Sequence, residues 1–205
     1  ESSLAADGKR LLTREGENAV LRDADSGQPL SQWPAFPEGS HRWSPAGDWI
    51  AILGPGHPAE KLTLVDAQSG LAKDAPAIHT GAVRALAWSA DGKWLATGGV
   101  DNTIQIWDPA TGAVRVAIPL ETAVLSLGWS RDGRSLASGG ADQRIRIWDA
   151  EDGKLLRSGE PLPSPLAEDP RGELTWSPDG QRIAAGLADG SVVLVDPTSG
   201  RWPPP

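Results

Sequence analysis

The chain has 205 residues, 39% of them hydrophobic, which suits one sizeable core or two small ones. Nineteen Lys and Arg against 27 Asp and Glu leave a net charge of −8, which argues against the phosphate neutralisation that nucleic-acid and anionic-membrane binding require. Cys is absent, which removes disulfides, thiolate metal sites and Cys nucleophiles and leaves the redox compartment open.

The opening ESSLAADGKR has neither an initiating Met nor the apolar stretch of a signal peptide. With no Met anywhere, the sequence is expected to be an excised or processed portion of a longer chain. No apolar run approaches the roughly 18 residues of a membrane helix, so a cytoplasmic location is the expectation. Gly 24 and Pro 18, with ten Trp and one Phe as the whole aromatic set, suggest short strands joined by many turns.

Five copies of one pattern follow, over approximately 1–40, 41–82, 83–123, 124–172 and 173–205. The first has a strand into the turn Asp7-Gly8, a second turn at Asp23 and Gly27, and a connection at 31–41, SQWPAFPEGSH, with Trp33 and Phe36 beside Pro34 and Pro37. The second opens on HRWS at 41–44, turns at Ala46-Gly47, and has a second-to-third strand turn at 54–61, GPGHPAEK, three residues longer than its equivalents. The third is the most regular: LAWS at 86–89, Asp91-Gly92, WLATGG, TIQIWD at 103–108, then Gly112 four residues after Asp108. The fourth repeats it with LGWS, Asp132-Gly133, SLASGG, RIRIWD and Gly153, then adds a connection at 158–172, SGEPLPSPLAEDPRG, about six residues too long. The fifth has LTWS, Asp179-Gly180, RIAAGL and SVVLVD, and reaches GRWPPP where a fourth strand is due.

Asp-Gly between alternating strands is a hairpin signal, because Gly accepts a positive φ without a Cβ clash. Period-two alternation places Ile104, Ile106, Ile145, Ile147, Val192 and Leu194 on one face. The predicted fold is therefore all-β, a β-propeller of four-stranded antiparallel blades with five repeats visible. The first and last copies are incomplete, short of most of an inner strand and of one outer strand. Trp43, Trp88, Trp129 and Trp176 share one register, Trp49 and Trp94 a second, Trp107 and Trp148 a third, as expected for packing between blades.

The pairs Trp107-Asp108 and Trp148-Asp149, with HTGAV at 79–83, resemble the WD-repeat β-propeller family. The copies with Val65-Asp66 and Val195-Asp196, and WSPDGQRIA at 176–184, are also similar to TolB-type propeller repeats. The WD resemblance implies a structural hydrogen-bonded tetrad of His79, Thr97, Asp101 and Trp107, in which Asp101 and His79 tie two loops to the indole N–H. Leu120 stands where the fourth copy would have its His. It also implies a ring of about seven blades, the missing ones supplied by the rest of the parent chain or by another chain; a closed five-bladed ring is the lesser alternative.

His, hydroxyl and carboxylate together could suggest a nucleophilic triad, but the tetrad accounts for them, and no catalytic residue is assigned. No metal or cofactor site is predicted either. His41, His57 and His79 sit in different copies, DAEDG at 149–153 lacks a calcium loop's pattern, and GGVDNT and GGADQR are two-residue hairpin turns with no helix after them. Function is expected where copies depart from the pattern, on loops held by a rigid frame. Strand alternation sends 31–41, 54–61 and 158–172 to one end of the blades. The partner-binding candidates are Trp33, Phe36, His57, Glu168, Asp169 and Arg171. Trp33 and Phe36 read equally as interface anchors or as caps over the gap between two blades, and 158–172 as a contact or a flexible excursion.

The expected function is a non-catalytic protein–protein interaction scaffold with protein partners, binding no nucleic acid or membrane. Two alternatives remain at this point. One is a sensor domain of a larger bacterial signalling or defence protein, fused to a kinase, protease or NTPase. The other is a propeller enzyme of lactonase or hydrolase type with its site in the central channel.

Overall fold

The computed structural model of the chain describes residues 2–34, 41–54, 61–74, 79–167 and 174–201. The chain divides into two compact units, residues 1–78 and 79–205, each taken by itself.

In the first unit, strands β1 (Ser2–Leu4), β2 (Arg10–Glu15), β3 (Asn18–Asp23) and β4 (Pro29–Pro34) form one antiparallel sheet in that order. A second sheet runs β5 (His41–Trp43), β6 (Trp49–Gly54), β7 (Lys61–Asp66), β8 (Ala72–Asp74). Leu12, Ala19 and Leu21 of the first sheet bury against Ile50, Ile52 and Val65 of the second. Alternation accounts for this: Leu12 and Leu21 are register partners and so share a face.

The second unit holds three sheets. Strands β9 (Val83–Trp88), β10 (Leu95–Gly99), β11 (Thr103–Trp107) and β12 (Val114–Pro119) form one blade. The next is β13 (Val124–Trp129), β14 (Ser135–Gly140), β15 (Ile145–Asp149) and β16 (Leu155–Ser158). Among the described residues the last has three strands, β17 (Thr175–Trp176), β18 (Ile183–Gly186) and β19 (Val192–Val195). The sheets stack face to face. Ile104 and Ile106 bury against Val124, Leu127, Trp129 and Leu136 of the next blade. Ile145 and Ile147 bury in turn against Leu166, Leu174 and Ile183.

Innermost strands are also joined by indoles. The N–H of Trp129 donates to the Ala87 carbonyl at 3.0 Å, that of Trp176 to the Gly128 carbonyl at 3.0 Å, and in the first unit that of Trp43 to the Ser3 hydroxyl at 3.0 Å. This is why Trp recurs before Ser at a fixed place.

The Trp-Ser-x-Asp-Gly phrase is a self-contained turn. The Ser89 hydroxyl donates to Asp91 at 2.7 Å and accepts the Trp94 amide at 3.0 Å, and Asp91 accepts the Lys93 amide at 3.1 Å. Gly92 has φ 71 and its amide bonds the Ser89 carbonyl at 2.9 Å. Asp91 itself is not left-handed, so the loop is a type I turn followed by a left-handed Gly, not the two-residue mirror-image turn. Ser130 with Asp132, and Ser177 with Asp179, repeat it.

Candidate functional site

The densest polar constellation among the described residues lies where the loop before β9 meets the β10–β11 turn. Asp101 stands in that turn, and its Oδ1 accepts the Thr103 amide at 3.2 Å and the Thr103 hydroxyl at 2.9 Å. Its Oδ2 accepts the Thr80 amide at 2.9 Å. One carboxylate therefore closes its own turn and pins a loop 21 residues away in sequence. His79 Nδ1 lies 3.0 Å from both Asp101 oxygens, and Nε2 lies 2.9 Å from Thr97 Oγ1. With Asp101 ionised, Nδ1–H donates to it, and in the neutral ring Nε2 accepts the Thr97 hydroxyl. Burial works to raise the Asp101 pKa, but the hydrogen bonds from His79, the Thr80 amide and Thr103 outweigh it and hold the carboxyl below its ordinary value.

The fourth member of the expected tetrad is not joined. Trp107 is fully buried, and its Nε1 has no hydrogen-bond partner. The network ends at Thr97, and Thr103, which the sequence reading missed, completes the set instead. The next blade shows the reason. There Leu120 replaces the His, and the free Ser138 hydroxyl accepts the Trp148 indole N–H at 2.8 Å. Thr97 is β-branched and stiff at χ1, and its oxygen is directed to His79.

Asp142, the equivalent of Asp101, is held by an Arg instead. Arg146, on β15 of its own blade, donates from its two terminal nitrogens at 3.1 and 2.6 Å. Burial opposes ionisation of Asp142, but Arg146, together with the amide and charge of Arg144, outweighs it, so this carboxyl too is held below its usual value.

The hydroxyl of a nucleophilic triad must reach substrate, and Thr97 has no exposed surface at all. This constellation therefore ties loops and does not present a nucleophile. The turn aspartates do similar work. Asp91 and Asp132 are lowered first by the hydroxyls of Ser89 and Ser130, and Asp196 by the Thr198 amide. Among the described residues no three His, Asp or Glu side chains gather as a metal site would need.

The departures from the repeat are placed differently from the sequence reading. Residues 31–34 are not connection: they belong to β4, where Trp33 pairs in register with Ala19. Trp33 packs half-buried against the Leu12–Ile50 cluster, in the position Ile118 holds opposite Ile104. Its described contacts are those of a residue between two blades. Phe36, His57, Glu168, Asp169 and Arg171 lie outside the described residues.

The segment 158–172 is not an excursion along its described part. The Leu162 amide bonds the Gln143 carbonyl at 2.7 Å, and Leu162 and Leu166 are buried in the core between two blades. Leu166 bridges to Leu187 as Val124 pairs with Gly140 and Val83 with Gly99. Leu166 is thus the start of the innermost strand, and Thr175 and Trp176 are its end. Counting along the sequence, the interval from Leu166 to Trp176 is five residues longer than from Val124 to Trp129. The five added positions therefore fall after Leu166 in the sequence, and not in the connection that precedes it. Prolines at 161, 163 and 165 hid this, because they read as loop.

Four-stranded antiparallel sheets stacked in this way, with indoles crossing between innermost strands and a His–Asp pair at the loop, define blades of a β-propeller. Three stretches are WD repeats: residues 77–108, 119–149 and 173–196 match the family model described as WD domain, G-beta repeat. The chain is 42% identical over 40 residues to Protein pleiotropic regulator PRL2 of Arabidopsis thaliana, 20% of this chain and 8% of that protein. It is 45% identical over 40 residues to Pre-mRNA-splicing factor PRP46 of Yarrowia lipolytica, 20% and 9% respectively. It is 38% identical over 47 residues to Retinoblastoma-binding-like protein E of Dictyostelium discoideum, 23% and 9%. The aligned stretch thus spans less than a tenth of each of these relatives. No helix among the described residues is long and apolar enough to cross a membrane.

Proposed function

We propose that the chain is a non-catalytic platform that holds protein partners. The supporting observation is the division of labour among its polar residues. Those that repeat are engaged in turning the chain or tying loops, as with Ser89–Asp91 and His79–Asp101. By sequence, the departures at 31–41, 54–61 and 158–172 contain residues that answer no need of the repeated pattern. Variable loops on a rigid scaffold are where binding residues concentrate. The name of one relative, a retinoblastoma-binding-like protein, fits a binding role. The net charge of −8 favours a protein partner over a nucleic acid or an anionic membrane.

In this reading Phe36, His57, Glu168, Asp169 and Arg171 contribute to partner contacts, each within its own unit, with Trp33 behind Phe36 in the sequence. The test is affinity capture with the full-length protein, side by side with a variant carrying Ala at those five positions. The expected result is loss of specific partners at an unchanged melting temperature. Capture of the same partners by the variant would sink this surface assignment.

A further inference from the structure

Residues 160–166, EPLPSPL, follow the path of a regular copy while carrying residues that the path does not ask for. The Leu162 amide bonds the Gln143 carbonyl at 2.7 Å, as the Leu120 amide bonds the Asn102 carbonyl at 2.7 Å one blade earlier. The Ala188 amide bonds the Pro165 carbonyl at 2.8 Å, as the Ala141 amide bonds the Ala123 carbonyl and the Val100 amide the Ala82 carbonyl, both at 3.0 Å. These bonds align the three stretches residue by residue. Pro163 stands where the others have Glu121 and Thr80, and Pro165 where they have Ala123 and Ala82.

The two prolines therefore do not shape the connection, because Glu-x-Ala and Thr-x-Ala build the same one. They also cost it a tie. The Thr80 amide donates to Asp101 of the facing turn at 2.9 Å. Pro163 has no amide to offer. Among the described residues the corresponding Asp189 accepts only from Ser191 of its own turn, at 2.9 Å from the amide and 2.6 Å from the hydroxyl. Residues that the fold does not require, placed at the expense of a bond that it uses elsewhere, mark a place answering to function.

The presentation of these rings is fixed from the inside. Leu162 and Leu166 are 4% and 3% exposed, whereas Pro163 and Pro165 are exposed and Ser164 between them is half-buried. A residue before a proline is driven toward extended backbone, so Leu162 and Ser164 keep the alternation that buries the leucines and turns both rings outward. Each ring also locks its own φ, so the segment loses little conformational freedom when it is bound. Two exposed rings without backbone N–H groups offer apolar surface and no donor, which disfavours pairing with the edge of a sheet. The complementary surface is a groove walled by aromatic side chains, the mode by which folded modules hold proline-rich segments.

We propose that Pro163 and Pro165 form a fixed proline ledge that docks in the aromatic-lined groove of a proline-recognising partner module. The proposal rests on the partner-platform reading and deepens it, naming the partner chemistry for the described part of 158–172.

The test is calorimetric titration of the full-length protein with purified WW and SH3 domains, one domain at a time. Pro163→Thr combined with Pro165→Ala gives the ledge the residues of the third copy, Thr80 and Ala82, so this variant should melt with the parent protein. The expected result is saturable binding by at least one domain, at one site per chain. In the double variant it should weaken on the order of ten-fold or more. Absence of binding by every domain would overturn the proposal, and so would equal affinity for the parent protein and the double variant. Should the double variant melt lower, the two single variants decide by the same criterion, and parental affinity in both contradicts the ledge. The variant with Ala at Phe36, His57, Glu168, Asp169 and Arg171 separates the two readings. Partner capture that depends on those five residues, with no domain binding, removes the ledge and leaves the platform standing.

Discussion

The blades at 83–119 and 124–158 have nearly the same sequence pattern and solve one polar problem in two ways. Both keep an Asp in the turn between second and third strands. In the first it is linked to a His in the loop before the blade; in the second, to an Arg within the blade. Both keep a hydroxyl on the second strand. In the first it contacts His79; in the second it accepts the indole N–H. The demand that does not change is the turn aspartate's, because backbone amides need an acceptor there. The side chain that meets it is exchangeable. A set that can be rebuilt from other residues one blade later behaves as scaffolding.

That comparison can be broken by substitution. The largest effect is expected at the two aspartates: Asp101→Ala strands a buried His and two amides and should cost about 3 kcal/mol. Asp142→Ala releases an Arg that can turn to water and should cost about 1 kcal/mol. Urea unfolding of both variants checks this, and equal costs would erase the distinction. Next are two close-packed glycines, where an added Cβ would meet Val124 and Leu166: Gly98→Val and Gly139→Val should each cost about 2 kcal/mol through overpacking. The two indoles should also differ. Trp148→Phe leaves Ser138 without its partner, whereas Trp107→Phe removes an N–H that had none, so the first should exceed the second by about 1 kcal/mol in calorimetry. The smallest effect is at the left-handed positions Gln143 and Asn102, with φ 63 and 61. Gln143→Gly should stabilise by about 0.5 kcal/mol and Asn102→Gly by less, because Asn tolerates that conformation.

Acid should reveal the same carboxylates. Asp101 and Asp142 are both held below the ordinary carboxylate value. Their contribution is therefore complete above about pH 4 and is lost as pH falls through their lower folded-state values. Stability measured against pH should fall on the acid side less steeply in Asp101→Asn than in the parent protein.

Much of the fold was legible because the repeated words are physical requirements. Trp before Ser marks where an indole crosses to the preceding innermost strand, Asp-Gly marks a turn needing a left-handed residue, and alternating Ile marks the buried face. The limits of legibility have equally local causes. Trp33 was placed in a connection because its neighbouring prolines read as loop, yet Pro29 and Pro34 are tolerated at the ends of an outer strand. The added residues before Trp176 were assigned to a connection because they were counted back from the Trp. Only the bridge from Leu166 to Leu187 shows that the innermost strand has already begun. The Thr97–Trp107 link was inferred by resemblance, and a hydroxyl's direction depends on its competitors, which the sequence order does not rank.

The claim that the His79–Asp101 set is architecture is tested most directly by a double-mutant cycle on folding stability, with His79→Ala, Asp101→Ala and the pair measured by urea unfolding. A buried, hydrogen-bonded unit predicts a coupling of about 1.5 kcal/mol or more, with the double variant far less destabilised than the two single costs would imply. Simple additivity would contradict that account.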